Sequence, residues 1–192
     1  MKKLYLLGDS IRMGYEPIVK EKLAGSVDVF SPSVNCEFAP YILKHLHRWA
    51  EQSGNASEID LVHWNSGLHD VLRMFGSGCL VPLDFYINTL KRIHERIKII
   101  FPKAKIIFAL TTGIIEERFE EPFIRYNSDI IEYNKAAVKI MNEFNFEIND
   151  LYAVTEKFSV DYYTDGTHFT EAGYCILADA VIKNCESGFQ EK

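Results

Sequence analysis

Short apolar runs alternate along the chain with segments of helical spacing, a pattern that predicts an α/β domain built on a parallel sheet. Leu4 to Leu7 is the first predicted strand, ending at Gly8-Asp9-Ser10. A helix is expected from Ile11 to about Leu23, with Pro17 kinking or interrupting its first turns. Val27 to Phe30 is a second strand, followed by the Ser31-Pro32-Ser33 loop. Tyr41, Leu43, Leu46 and Trp49 recur at near-helical spacing before a break at Ser53-Gly54-Asn55. Ile59 to Trp64 is a third strand and leads into Asn65-Ser66-Gly67-Leu68-His69-Asp70. A long helix begins near Pro82, with Phe85, Leu90, Ile93, Ile97 and Ile100 expected on its sheet-facing side. Lys105 to Leu110 is a fourth strand, and residues 111–126 a mixed loop with arginines and glutamates. Asn127 to Phe144 is helical, with Ile130, Ile131, Ala137, Val138 and Met141 on one face. Phe146 to Ile148 is a short fifth strand, and Ala172 to about Lys183 the closing helix.

At 192 residues the chain fits one domain, 1–192, able to bury roughly 70% of its unfolded surface without disulfides or metals. A net charge of −6 argues against nucleic acid or an anionic membrane as partner. Cys36, Cys79, Cys175 and Cys185 form no C-x-x-C pair and are expected as free thiols. The apolar stretch near the start is too short for a signal peptide, and no window reaches transmembrane length, so a cytoplasmic location is expected.

In an open parallel sheet, ligands bind beyond the carboxyl ends of the strands. Three polar clusters fall near such positions: Gly8-Asp9-Ser10, Asn65 to Asp70, and Asp165-Gly166-Thr167-His168. A serine between strand and helix is most often a cap, and Asp165 with His168 alone is an ordinary turn. Together they supply a nucleophile, a base for its proton, and a carboxylate to fix the imidazole's tautomer.

Gly8-Asp9-Ser10 with Asp165-x-x-His168 resembles the SGNH (GDSL-type) hydrolase superfamily. Residues 60–70 align without gaps on that family's third block, and the Asn-Ser-Gly-Leu-His-Asp string is similar to its PC-esterase branch. The resemblance implies a flavodoxin-like three-layer α/β/α sandwich over a five-stranded parallel sheet, with no metal and no organic cofactor. It implies Ser10 as nucleophile, His168 as base and acid, and Asp165 as its orienter. The oxyanion hole would draw on the Ser10 amide, on Asn35 where the family has glycine, and on His69 where it has asparagine, with Asn65 a competing donor. Asn tolerates positive φ, so Asn35 could preserve the loop shape; its other reading is a plain turn residue.

Other residues carry plainer expectations. Asp70 is expected to tie down its turn. His45, His47, His63 and His94 lack ligand spacing and are expected on the surface. Arg12, Arg118 and Arg125 each either meet an anionic substrate group or pair with an acid. The function expected is a serine esterase acting on small ester bonds, O-acetyl groups on a carbohydrate or similar polar substrate foremost. The alternatives are a lipase, lysophospholipase or thioesterase on the same fold, or a non-catalytic binding module.

Overall fold

The computed structural model describes residues 1–54 and 56–190; Asn55, part of the predicted break, lies outside them. Strand β1 (Lys2–Leu7) leads into helix α1 (Ser10–Lys22), β2 (Val27–Phe30), α2 (Ala39–Gln52) and β3 (Leu61–Trp64). Then follow β4 (Arg73–Met74), α3 (Leu83–Ile100), β5 (Lys105–Ala109), β6 (Phe123–Ile124), α4 (Asn127–Glu143), β7 (Glu147–Asn149), α5 (Leu151–Thr155) and α6 (Glu171–Gln190). Five strands form a sheet in the order β2-β1-β3-β5-β7, and every pairing is parallel. β4 and β6 form a separate antiparallel ribbon.

From β1 the chain moves to one side into β2, then crosses back to β3 on the other side. Right-handed crossovers therefore put α1 on one face and α2, α3 and α4 in a row on the other. α6 packs beside α1. The reversal leaves a crevice beyond the carboxyl ends of β1 and β3, the switch point at which such sheets bind ligands. The first two polar clusters of the sequence hang from those two strand ends.

The central strands are buried on both faces: Leu4 to Leu7 and Leu61 to Trp64 are all inaccessible to solvent. This is why they read as continuous apolar runs instead of alternating ones. The same rule corrects one expectation. His63 lies in the middle of β3 and is fully buried, and His94 is buried in α3. Neither is a surface histidine. His63 Nε2 accepts from Asn149 Nδ2 at 3.1 Å, and its ring meets Tyr15 edge-on. His94 stacks on Phe144 at 3.8 Å between centroids. His45 is half-buried beside Tyr41 and Trp49, while His47 is exposed.

Three further differences have physical causes. α1 runs through Pro17 without interruption. Proline costs one helical hydrogen bond, and packing of Ile11, Tyr15 and Val19 into the core outweighs it. Phe85 is half exposed, and Tyr86 takes the inward position, its hydroxyl donating to Ser66 O at 2.8 Å. On α4 the most buried positions are Ile130, Tyr133, Asn134, Ala137, Ile140 and Met141, so the inward stripe includes a tyrosine and an asparagine as well as aliphatics. All four cysteines are free. Among the described residues no helix is long and apolar enough to cross a membrane.

Burial holds the His63 imidazole neutral, pushing its pKa from the ordinary value near 6.5 down to about 4. The folded state therefore resists protonation more than the unfolded chain does. Stability from this residue is intact above the ordinary value and is lost as pH falls through the interval down to about 4. The shift corresponds to about 3 kcal/mol. Asp70, pushed up to about 7 by burial, acts in the opposite direction in the same window. The contribution is thus isolated as a difference: urea unfolding of wild type and His63→Gln between pH 7 and 4 should show wild type losing stability relative to the variant as pH falls.

Candidate active site

Ser10 opens α1 directly after β1, so its N–H is among the first-turn amides that have no intrahelical acceptor. Asp9 caps the helix, with Oδ1 accepting from Ile11 N at 2.9 Å. The Ser10 side chain meets a residue 158 positions later: His168 Nε2 lies 2.8 Å from Ser10 Oγ. His168 Nδ1 lies 2.7 Å from Asp165 Oδ2. Asp165 Oδ1 meanwhile accepts from Thr167 N at 2.6 Å and His168 N at 2.7 Å. Burial opposes ionisation of this carboxyl, but the donors from His168 and Thr167 outweigh it and hold its pKa below the ordinary value. An anionic Asp165 therefore fixes both the backbone of its loop and the ring above it.

That loop is held from outside by residues 111–126. Ile115 N donates to Gly166 O at 2.9 Å. Arg118 Nη1 donates to Asp165 O at 3.0 Å and Tyr163 O at 3.3 Å. The Phe119 ring lies so close over Gly166 that a Cβ there would come within 2.7 Å of it. Arg118 is thus a clamp on carbonyls, and among the described residues it pairs with no acid.

The other predicted residues separate into two groups. Asn65 is buried, and its Nδ2 donates to Asp9 Oδ2 at 3.0 Å, beneath the Gly8-Asp9-Ser10 segment. Gly67 has φ +147 and turns the chain at the end of β3, with Thr111 Oγ1 where a side chain would stand. Past that turn, His69 is half-buried within electrostatic reach of Asp9, Glu37, Arg125 and His168. Burial is the main force lowering its pKa; Arg125 and His168 add to it, Asp9 and Glu37 oppose it. A neutral ring with one N–H is the form that can donate to a developing anion. Of the two third-block donors, Asn65 is committed to Asp9 and His69 is at the site.

The loop after β2 differs from expectation at its left-handed residue, which is Glu37 with φ 50 and not Asn35. Asn35 makes an Asx turn, its Oδ1 accepting from Glu37 N at 2.9 Å, and this turn sets the positive φ two residues on. Cys36 N donates to Gly8 O at 3.2 Å. Two of the three amides here are thereby used, one within the loop and one on the end of β1. Arg12 pairs with Glu16 and donates to Val34 O at 2.6 Å and Gly8 O at 3.3 Å. It is buried and fastens this loop to the end of β1, the acid-pairing reading.

Asp70 ties its turn as expected and does more. Oδ2 accepts from Ser66 Oγ at 2.9 Å, while Oδ1 accepts from Ala39 N at 3.0 Å. Phe38, at the α2 N-cap, has no capping side chain, so Asp70 caps that helix from across the site. Among the described residues, no group of three or more His, Cys, Asp or Glu is gathered as a metal site.

No family model matches the chain. It is 25% identical over 118 residues to the GDSL esterase/lipase WDL1 of Oryza sativa subsp. japonica, a match covering 56% of this chain and 45% of that protein. The chain thus spans less than half the length of the curated relatives it matches. The lipase/acylhydrolase from Enterococcus faecalis superposes with a TM-score of 0.79 at 21% identity, over 97% of this chain and 96% of that one. The chain thus has the fold of a lipase/acylhydrolase, and over part of its length it is similar in sequence to GDSL esterase/lipases. A second structure with the same fold is the acetylxylan esterase Axe2 from Geobacillus stearothermophilus, with TM-score 0.73, 22% identity, and 95% and 93% of the two chains covered.

Phe119 and the carbonyl partners of Arg118 were not legible in the sequence, because nothing in a mixed loop says which carbonyl or ring it will meet. Their contribution is measurable. A net hydrogen bond is worth about 1 kcal/mol, so Arg118→Ala should lower kcat by at most about tenfold, with little change in melting temperature. Gly166→Ala should cost more, since the new Cβ displaces Phe119 or the loop. Equal kcat values for both variants and wild type, in steady-state ester hydrolysis, would remove the clamp role.

Proposed function

We propose that this chain is an SGNH serine esterase that removes small acyl groups, O-acetyl foremost, from a carbohydrate or similar polar alcohol. The observation that carries the reading is the continuous relay Ser10 Oγ–His168 Nε2 and His168 Nδ1–Asp165 Oδ2 at 2.8 and 2.7 Å. A serine hydroxyl between a strand and a helix needs no such partner to act as a cap; the relay is what an alcohol nucleophile needs.

In this mechanism Ser10 Oγ attacks the ester carbonyl carbon while His168 Nε2 takes its proton. Asp165 accepts from Nδ1–H, holds the ring in the tautomer that leaves Nε2 free, and stabilises the imidazolium. The carbonyl oxygen becomes an oxyanion beside the Ser10 amide at the start of α1, the Asn35 amide and the neutral His69 ring. Collapse breaks the C–O bond, and His168 returns the proton to the departing alcohol. Water, deprotonated by His168, then attacks the acyl-serine and releases the acid.

The surroundings favour a polar substrate. Asp9, Glu37 and Arg125 all act electrostatically on His69 beside the relay, and the side chains of His168 and Asp165 are 41% and 56% exposed. Such a rim suits an oxygen-rich alcohol better than a long acyl chain. The solved structures that share this fold include an acetylxylan esterase, consistent with the reading.

The test is a series of p-nitrophenyl esters of increasing chain length, followed by acetylated sugars. Turnover should peak at acetate, and Ser10→Ala should lower kcat by about 10⁶. Rates rising with chain length would favour a lipase or thioesterase; more than a few per cent activity in Ser10→Ala would overturn the nucleophile.

A second experiment separates the two third-block donors. His69→Ala should lower kcat by about 10²–10³ with little change in KM, and His69→Asn should recover part of it. Asn65→Ala removes a donor from the buried Asp9 carboxylate, and should register as about 1–3 kcal/mol of lost stability. Kinetics and urea unfolding on both variants decide the assignment; the reverse pattern moves the donor to Asn65.

A further inference from the structure

Arg125 sits just past β6 with its Nε donating to Leu68 O at 2.7 Å. Its guanidinium lies 5.7 Å from the centroid of the Phe119 ring, the same ring that rests on Gly166. It is therefore wedged between the turn that carries His69 and the loop that carries Asp165 and His168. Its charge acts on His69, and the charges of Asp9 and Asp165 act on it.

The other arginines that build this end of the molecule are matched. Arg12 pairs with Glu16, Arg73 binds Asp129 with Nε and Nη2 at 2.7 and 2.9 Å, and Arg118 holds two carbonyls. Arg125 is half-buried, yet among the described residues no carboxylate lies within ion-pair distance of it. Only its Nε–H has a recorded protein acceptor. Withdrawing a guanidinium from water without a partner is costly, and its planar fork matches a carboxylate bidentately. With Asp9 and Asp165 nearby, a single negative charge suits the position better than a dianion.

We infer that Arg125 is a substrate-recognition residue that binds a carboxylate carried by the alcohol part of the ester, so that the preferred substrates are O-acyl esters of acidic sugars or comparable hydroxy acids. The inference rests on the esterase reading above and adds the charge of the substrate to it. The carboxylate is bound before and after acyl transfer alike, so its effect falls mainly on KM.

The experiment compares kcat/KM for a mono-O-acetyl methyl glucuronoside with the matching acetylated methyl glucoside, using p-nitrophenyl acetate as the reference ester. Wild type should prefer the acidic sugar by about tenfold or more, the value expected of a charged hydrogen-bonded contact, through a lower KM. The preference should shrink in Arg125→Gln, survive in part in Arg125→Lys, and shrink in wild type as sodium chloride is raised. The salt series needs no variant, so it decides the matter even where Arg125→Gln does not fold. A wild-type ratio near one, a ratio unchanged by salt or by Arg125→Gln, or turnover of p-nitrophenyl acetate with neither sugar ester overturns the role of Arg125 alone. Inactivity on all three esters overturns the esterase reading itself.

Discussion

The close approach of α1 and α6 is the contact on which the site depends. A Cβ on Gly14 would lie 2.1 Å from the Tyr174 ring, so only glycine lets that ring lie across α1. Tyr174 follows the Asp165–His168 loop by a few residues, and Gly14 follows Ser10 by four. Fixing one pair fixes the other, because helices are stiff over a single turn. The Lys22–Asp179 pair closes the same interface farther along at 2.5 Å, but it is exposed and contributes little. Apolar packing and the missing side chain of Gly14 set the distance.

Around that contact, the site is built as a set of loops each tied to something other than itself. Arg12 ties the loop after β2 to β1, Asp70 ties the turn after β3 to α2, and residues 111–126 tie the last loop from above. The first two ties use a buried charged side chain on a backbone amide or carbonyl, and the third uses Arg118 and the Ile115 amide on backbone carbonyls. These groups act chiefly through direction: an unpaired buried carbonyl or amide costs about 1–3 kcal/mol, so each loop has one arrangement that avoids the cost. The loops that carry Ser10, His69 and His168 are thereby held by groups outside the Ser10–His168–Asp165 relay.

Most of the sheet and its helices was legible in the sequence because long periodic segments and buried apolar runs leave strong patterns. Ser10, Asp165 and His168 were legible only as a set: singly they read as a cap and a turn, and together they resemble the SGNH motif pair. What failed to show had a local cause. β4 and β6 are two residues each, too short for any period. His63 sits in a strand buried on both faces, where the alternation that would have placed it does not exist. Glu37 has the left-handed backbone because Asn35 makes an Asx turn two residues earlier, a side-chain-to-backbone bond that composition does not reveal. The partners of Arg12 and Arg118 are mostly carbonyl oxygens, which every residue possesses and no sequence pattern marks.

The 158-residue gap between Ser10 and His168 bears on how the chain comes into being. Translation proceeds at about 5–20 residues per second, so the serine exists for roughly 8 to 30 seconds before its histidine is made. During that interval β1, α1 and β3 can pair and fold, and Ser10 stands at the start of its helix as an ordinary alcohol. The last loop and α6 arrive together and dock as one unit on a sheet already formed. The Ser10–His168–Asp165 contacts are thus among the last to form, and until the last loop is made Ser10 lacks the imidazole that meets its hydroxyl.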